Sequence, residues 1–293
     1  MHQETSAAPD ANSHKDEGFL DLGPEVERYP YQGIQQFWSI WEEMALKRRQ
    51  NGARDEQDSE WVLFTGVEEG TFARDFLNSH DEIPSESWRS FDRKQHLLLA
   101  QMVVPEEHEV AGSHFTWHLM TALEPMGMRT KLLSGSKACR FGNEGARRPD
   151  EQYRPIKVPR GWTKDWPTVV LEVAVSETPR KLMGDVKYWL RQADGAVQAV
   201  LTMRANRRNS SITIEKWTRG HDKEPSREQF VSISKDNDNV VVDGVPLIIE
   251  FERLFLHTPD SPREKDIKLD RDKLVDIAKA IWKSQGFEVE ADE

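Results

Sequence analysis

The sequence predicts an α/β fold with a central mixed sheet flanked by helices and helical extensions before and after it. Three observations lead there. Residues 167–175 form a nearly continuous apolar run rich in β-branched side chains, which suits a strand covered on both faces. Helical periodicity flanks this run. Upstream, Ala111, Phe115, Leu119, Ala122 and Met126 recur at three- and four-residue spacing; downstream, Leu182, Met183, Val186, Trp189, Leu190 and Ala193 share a face. Finally, residues 211–217 alternate polar and apolar, as an antiparallel strand with one wet face should.

In chain order, residues 1–30 are rich in Ala, Ser, Asp and Glu without periodicity and read as a disordered acidic tail. Residues 31–87 are expected to form a helical N-terminal extension, with Ile34, Phe37, Trp38, Trp41 and Met44 as a stripe ending near Arg48, Arg49 and Gly52. The core is placed at 88–257. A short helix is expected in 84–101. A better one opens at Pro105, where Glu106 and Glu107 suit a helix N-terminus and His108 falls on the inward stripe. Gly135, Gly142 and Gly145 then punctuate short strands, and the downstream helix closes at Asp194-Gly195. Residues 197–203 read as a buried strand, and 240–256 as a strand pair around the Asp243-Gly244 turn. Residues 258–293 form the C-terminal extension, a last amphipathic helix carrying Leu274, Ile277, Ile281 and Trp282.

Composition excludes several classes. A single cysteine, Cys139, forms no internal disulfide, and no Cys/His cluster has zinc-site spacing. With no apolar leader and no run of eighteen apolar residues, the expectation is an intracellular protein, cytoplasmic or nuclear, without a membrane span. The net charge of −11 argues against indiscriminate coating of nucleic acid. Yet residues 129–164 carry ten basic side chains against three acidic ones, either a solvated loop or a phosphate-facing surface.

Two carboxylates stand out. Glu172 interrupts the apolar run, where an ionised carboxylate requires a cation, a metal or a proton. Asp150, in the basic stretch, lies far enough upstream for a turn and return on a neighbouring strand. Two oxygen ligands completed by waters and substrate phosphates are a common way of holding Mg²⁺. The alternative is a buried Glu172 paired with a nearby arginine.

The segments Arg147-Arg148-Pro149-Asp150-Glu151 and Val169-Val170-Leu171-Glu172-Val173-Ala174-Val175-Ser176 resemble a group of filamentous-fungal proteins similar to a bacterial restriction-endonuclease-like family of the PD-(D/E)XK superfamily. His108, Asp150, Glu172 and Ser176 fall in the family's order, and the resemblance covers about 91–256. It implies a PD-(D/E)XK core and a nuclease acting on DNA or RNA, with Asp150 and Glu172 as ligands of Mg²⁺ or Mn²⁺ and His108 as a further catalytic group. Arg147, Arg148 and Arg154 would bind phosphate. One position departs from the pattern, because Ala174 stands where the family name implies a lysine. Lys187 and Lys181 on the following helix are the candidate replacements, Lys187 preferred for its place well inside the helix, with Arg204 behind them. Glu107 or Glu109 is available as an extra carboxylate. Trp162, Trp166 and Tyr153 suit either base stacking or core packing. A degenerate nuclease fold that binds nucleic acid or protein without cleavage is the alternative, and a protein-contact scaffold is a third class.

Overall fold

The computed structural model describes residues 26–51, 60–136, 139–141, 145–175, 179–192, 194–236 and 239–287. The N-terminal part runs β1 (Glu27–Pro30), α1 (Ile34–Asn51), β2 (Trp61–Thr65), α2 (Glu69–Phe72), α3 (Glu82–Ser87), β3 (Trp88–Asp92) and β4 (Leu97–Gln101). Next come α4 (Glu106–Leu123), β5 (Leu132–Gly135), β6 (Cys139–Phe141), β7 (Gly145–Arg147), β8 (Glu151–Pro155), β9 (Val169–Ala174), α5 (Pro179–Gln192) and β10 (Ala199–Ala205). The chain ends with β11 (Ser211–Arg219), β12 (Pro225–Asp236), β13 (Asn239–Asp243), β14 (Leu247–Ile249), α6 (Phe251–Phe255), β15 (Ile267–Leu269) and α7 (Arg271–Ser284).

Two mixed sheets organise these elements. The larger has the order β13-β12-β11-β10-β9-β8-β5, and the other β1-β2-β4-β3-β7-β6. In the larger sheet β9 and β10 are parallel, joined through α5 as a crossover, and all their other pairings are antiparallel. Every residue of β9 is buried because both faces are covered. Val169, Leu171 and Val173 pack with Phe115 and Leu119 of α4 and with Ile277 and Ile281 of α7. Val170 packs on the other face with Val186 and Trp189 of α5. Each such side chain contributes about 1.5–3 kcal/mol of burial. Glu172 therefore points towards α5.

Several expectations are corrected. Residues 27–30, read as tail, pair with β2 as an edge strand, and the expected helical extension supplies β2 to the smaller sheet. The rest of the tail, 1–25, lies outside the described residues. Residues 84–101 are helical only at α3 and then form the β3-β4 hairpin. Leu97-Leu98-Leu99-Ala100 is a run of good helix formers, but four consecutive apolar residues suit a strand covered on both sides, and pairing with β2 and β3 overrides propensity. Around Asp243-Gly244 no hairpin forms, since β13 pairs with β12 and β14 with β15. The final helix, read as an appendage, buries Leu274, Ile277, Ala278, Ile281 and Trp282 in the principal core. Among the described residues, no helix is long and apolar enough to cross a membrane.

One guanidinium links the two sheets. Arg207, between β10 and β11, pairs with Glu60 before β2 and with Glu107 of α4, Nε to Oε1 at 3.3 Å. Both carboxylates are almost wholly buried. Arg207→Ala is expected to cost about 3 kcal/mol, because it removes the Arg207 pairing of two buried carboxylates and leaves Glu60 only its longer contact with Arg48, at 3.4 Å. Glu107→Gln in that background should recover part of the loss. Urea denaturation measures both; a loss below about 0.5 kcal/mol would mean that the pair behaves like an exposed ion pair.

Candidate active site

The register of β8 on β9 pairs Glu151 with Leu171, and its continuation by one residue sets Asp150 beside Glu172. Local bonding fixes Asp150 there, since its Oδ2 accepts the Val173 N–H at 2.8 Å. His108 on the first turn of α4 brings Nε2 to 3.2 Å from Asp150 Oδ1, and Arg89 of β3 brings Nε to 3.9 Å. Burial opposes the charge on Asp150. The nearby His108, then Arg89 and the Val173 N–H, outweigh it and hold the carboxyl well below the ordinary carboxylate range.

Glu172 is in the opposite condition. Its side chain is 6% exposed and Oε1 accepts the Trp189 indole N–H at 2.5 Å. Burial, then the charges of Asp150 and Asp185, push its carboxyl well up, against the weaker pull of Lys181 and the indole. Lys181, Asp185 and Trp189 recur every four residues along the face of α5 turned to β9. Lys181 Nζ is 3.0 Å from Asp185 Oδ2 and lies 4.2 Å from the centre of the Trp61 ring. Arg147 Nη1 reaches Asp185 Oδ1 at 3.0 Å while its Nε donates to Ser90 Oγ at 2.9 Å.

This geometry sorts the candidates. Asp150, Glu172, His108 and Lys181 come together. Lys187 does not, because its position puts it on the exposed face of α5, so the preference between the two lysines is reversed. Arg147 is 2% exposed, stacked at 4.1 Å over Tyr188, and serves the interior rather than a phosphate-facing surface. Arg148 lies over Trp88 and lines a cleft; Arg154 lies four residues along β8 from Asp150. Arg204 is exposed, and Glu107 is engaged by Arg207. Of the aromatics, Tyr153 is fully buried with its hydroxyl 2.7 Å from Thr116 Oγ1, while Trp162 and Trp166 pack with the α5 cluster, so core packing accounts for them. Ser176 lies outside the described residues. Sequence reasoning missed Arg89, Asp185 and Trp189; the four-residue spacing from Lys181 was the available signal for the last two.

A cleft of about 470 Å³ opens onto one side of this cluster. Asp150, His108, Arg89 and Arg148 line it, together with Trp41 of α1, Glu109 and Gly112 of α4, and Glu151. Burial and then Arg89 lower Arg148 to about 10. Among the described residues, three metal-ligand side chains converge within 4.8 Å only at His257, Asp260 and Glu264, none of which belongs to the Asp150 cluster.

No protein-family description matches the chain, and no curated protein matches it. Among solved structures, it is similar to that of a candidate nuclease belonging to DUF820 from Anabaena variabilis, at 11% identity over 61% of this chain and 87% of that one, with a TM-score of 0.34. A likeness of that size decides neither fold nor activity.

Glu151 provides a pH test. Burial, then the charges of Asp150 and Glu109, raise its carboxyl from an ordinary 4.5 to about 7. The folded state thus keeps a proton that the unfolded chain releases. The resulting stability is fully present below about pH 4.5 and is lost as pH rises through about 7. Glu151→Gln should remove this dependence, changing the stability difference from wild type by on the order of 2 kcal/mol across that window, less than the full shift because the group is partly solvated. Urea denaturation across the window in EDTA checks it; a difference that stays constant with pH would mean that Glu151 titrates as an ordinary surface acid.

Proposed function

We propose that this chain is a metal-dependent nuclease with a PD-(D/E)XK-type core drawn from residues 88–257, hydrolysing phosphodiester bonds in DNA or RNA. The observation that carries the reading is the juxtaposition of two carboxylates with little exposure, Asp150 immediately before β8 and Glu172 on β9, beside a buried lysine, Lys181. The donor set fits a divalent cation. Both groups offer hard oxygen ligands of the kind Mg²⁺ and Mn²⁺ accept, and the charges of Asp150 and Asp185 acting on Glu172 create a demand for positive charge. When bound, such an ion supplies Lewis acidity at the phosphate and an activated water.

The chain's own residues account for the rest. Asp150 and Glu172 would hold the ion, and His108 and Arg89 keep Asp150 ionised and oriented on the cleft side. Lys181 enters from α5 instead of from position 174. It lowers the cost of charge on Glu172 and, with Asp185, fixes the local field. Arg148 and Arg89 face the cleft as phosphate partners. A second reading, a catalytically inert module of the same fold that binds nucleic acid or protein, is favoured by the Glu172–Trp189 hydrogen bond, which engages one ligand oxygen, and by Ala174.

Purified full-length protein is expected to cleave single- or double-stranded DNA or RNA with Mg²⁺ or Mn²⁺ and to stop in EDTA. Asp150→Asn and Glu172→Gln should each lower cleavage about 100- to 1,000-fold. Lys181→Met should lower it about 10- to 100-fold, as loss of a supporting residue does, while Lys187→Ala stays within about twofold of wild type. Cleavage that persists in EDTA, or that is indifferent to Asp150→Asn, would overturn the reading; binding without cleavage under either ion would favour the inert module.

A further inference from the structure

Resting on the nuclease reading, we infer that the Asp150 cleft receives one unpaired nucleotide, its phosphate between Arg148 and Arg89 and its base against Trp41, so that the substrate is a single strand or a strand end and not an intact duplex. The cleft's volume, about 470 Å³, is that of a small-molecule pocket and has room for a nucleotide, while a stacked, paired helix is far larger. A pocket that encloses one base can receive it only from a single strand or after it has been turned out of the duplex stack.

The charges on the walls point the same way. Arg148 stands over the Trp88 ring, its Nε is buried and unbonded, and among the described residues it has no ion-pair partner. Arg89 lines the same wall, spending Nε on Gln101 at 3.1 Å and Nη1 on the Glu86 carbonyl at 2.9 Å. Two guanidinium groups side by side, Arg148 making no ion pair among the described residues although the charge of Glu86 acts on it, form a site for one anionic group. The other walls are acidic: Glu82, Glu86, Glu109 and Glu151 also line the cleft. The Glu82, Glu86 and Glu109 carboxylates repel a second and third phosphate, so the cleft does not follow a backbone, whereas they accept N–H and O–H donors from a base and sugar. Trp41 supplies an aromatic surface in the same cleft, and base stacking on such a ring is tolerant of sequence.

Binding to the full-length protein in Mg²⁺ is measured by calorimetry with adenosine 5′-monophosphate, inorganic phosphate and adenosine. The monophosphate should bind at least tenfold more tightly than either of the others. Arg148→Gln should weaken both the monophosphate and phosphate about tenfold or more, and Trp41→Ala only the monophosphate. Far-UV circular dichroism and melting report folding, and Arg148→Lys, which keeps a charge but not the planar fork, should fall between wild type and Arg148→Gln. Equal affinities in wild type, Arg148→Gln and Trp41→Ala, or no binding of the monophosphate, would overturn the inference. In cleavage assays a linear single strand should be cut and a covalently closed duplex should not. A closed duplex cut as fast as the single strand would overturn the inference while leaving the nuclease reading intact. Monophosphate binding with the expected variant pattern but no cleavage of any substrate would support the inference and remove the nuclease reading.

Discussion

Two acids buried side by side on neighbouring strands cannot both ionise without compensation, and much of the site's surroundings answers that constraint. The protein divides the task unequally. Asp150 is kept charged by groups outside its own sheet, His108 from α4 and Arg89 from β3, with the Val173 N–H completing its bonding. Glu172, cut off from water and facing two further carboxylates, favours its proton. One charge rather than two then needs direct neutralisation at this point. The third acid, Asp185, is balanced by Lys181 and Arg147.

The smaller sheet is therefore part of the site rather than an appendage to it. It delivers Arg89 to Asp150, the Ser90-braced Arg147 to Asp185 and the Trp61 ring to Lys181, three contacts from three of its strands. Arg207 ties the same sheet and α4 to the β10-β11 turn. The position of His108 depends on α4, and α4 is held by α7 and the face of β9 that carries Val169, Leu171 and Val173. The apolar core thus sets the geometry of the charged cluster on the opposite side of the same strand.

How much of this was legible in the sequence depended on whether a residue's partners were local. β9 announced itself through a nearly continuous apolar run, and Glu172 stood out as its one charged residue. The α4 and α5 helices carried clear periodicity, and both occur with ends close to those expected. The ranking of Lys187 over Lys181 failed because depth within a helix was weighed ahead of helical phase; Lys181, Asp185 and Trp189 share the face that meets β9. Arg147 was grouped with its basic neighbours, although alternate residues of a strand face opposite ways. Arg89 was invisible because its strand was read as helix. The long strand β12 was also missed, since its mostly polar residues show little alternation before Val231 and Ile233.

The same division of charge bears on the missing lysine. Ala174 is 1% exposed and shares its face of β9 with Glu172. A lysine there would have to be accommodated among packed groups, next to a carboxyl that burial and two neighbouring carboxylates push towards its protonated form. Lys181 reaches the cluster from the helix instead, with its charge balanced by Asp185 and its face covered by Trp61. Under the metal-dependent reading, a cation bound by Glu172 must displace that carboxyl's proton. Ion affinity and pH are then linked: each bound ion releases a proton wherever Glu172 is protonated beforehand, and affinity rises with pH until that carboxyl is ionised on its own. Arrangements that give both acids a nearby basic group at the outset would lack this linkage. Under that reading, a lysine on the helix instead of at position 174 would change when Glu172 becomes a ligand, as well as where the positive charge resides.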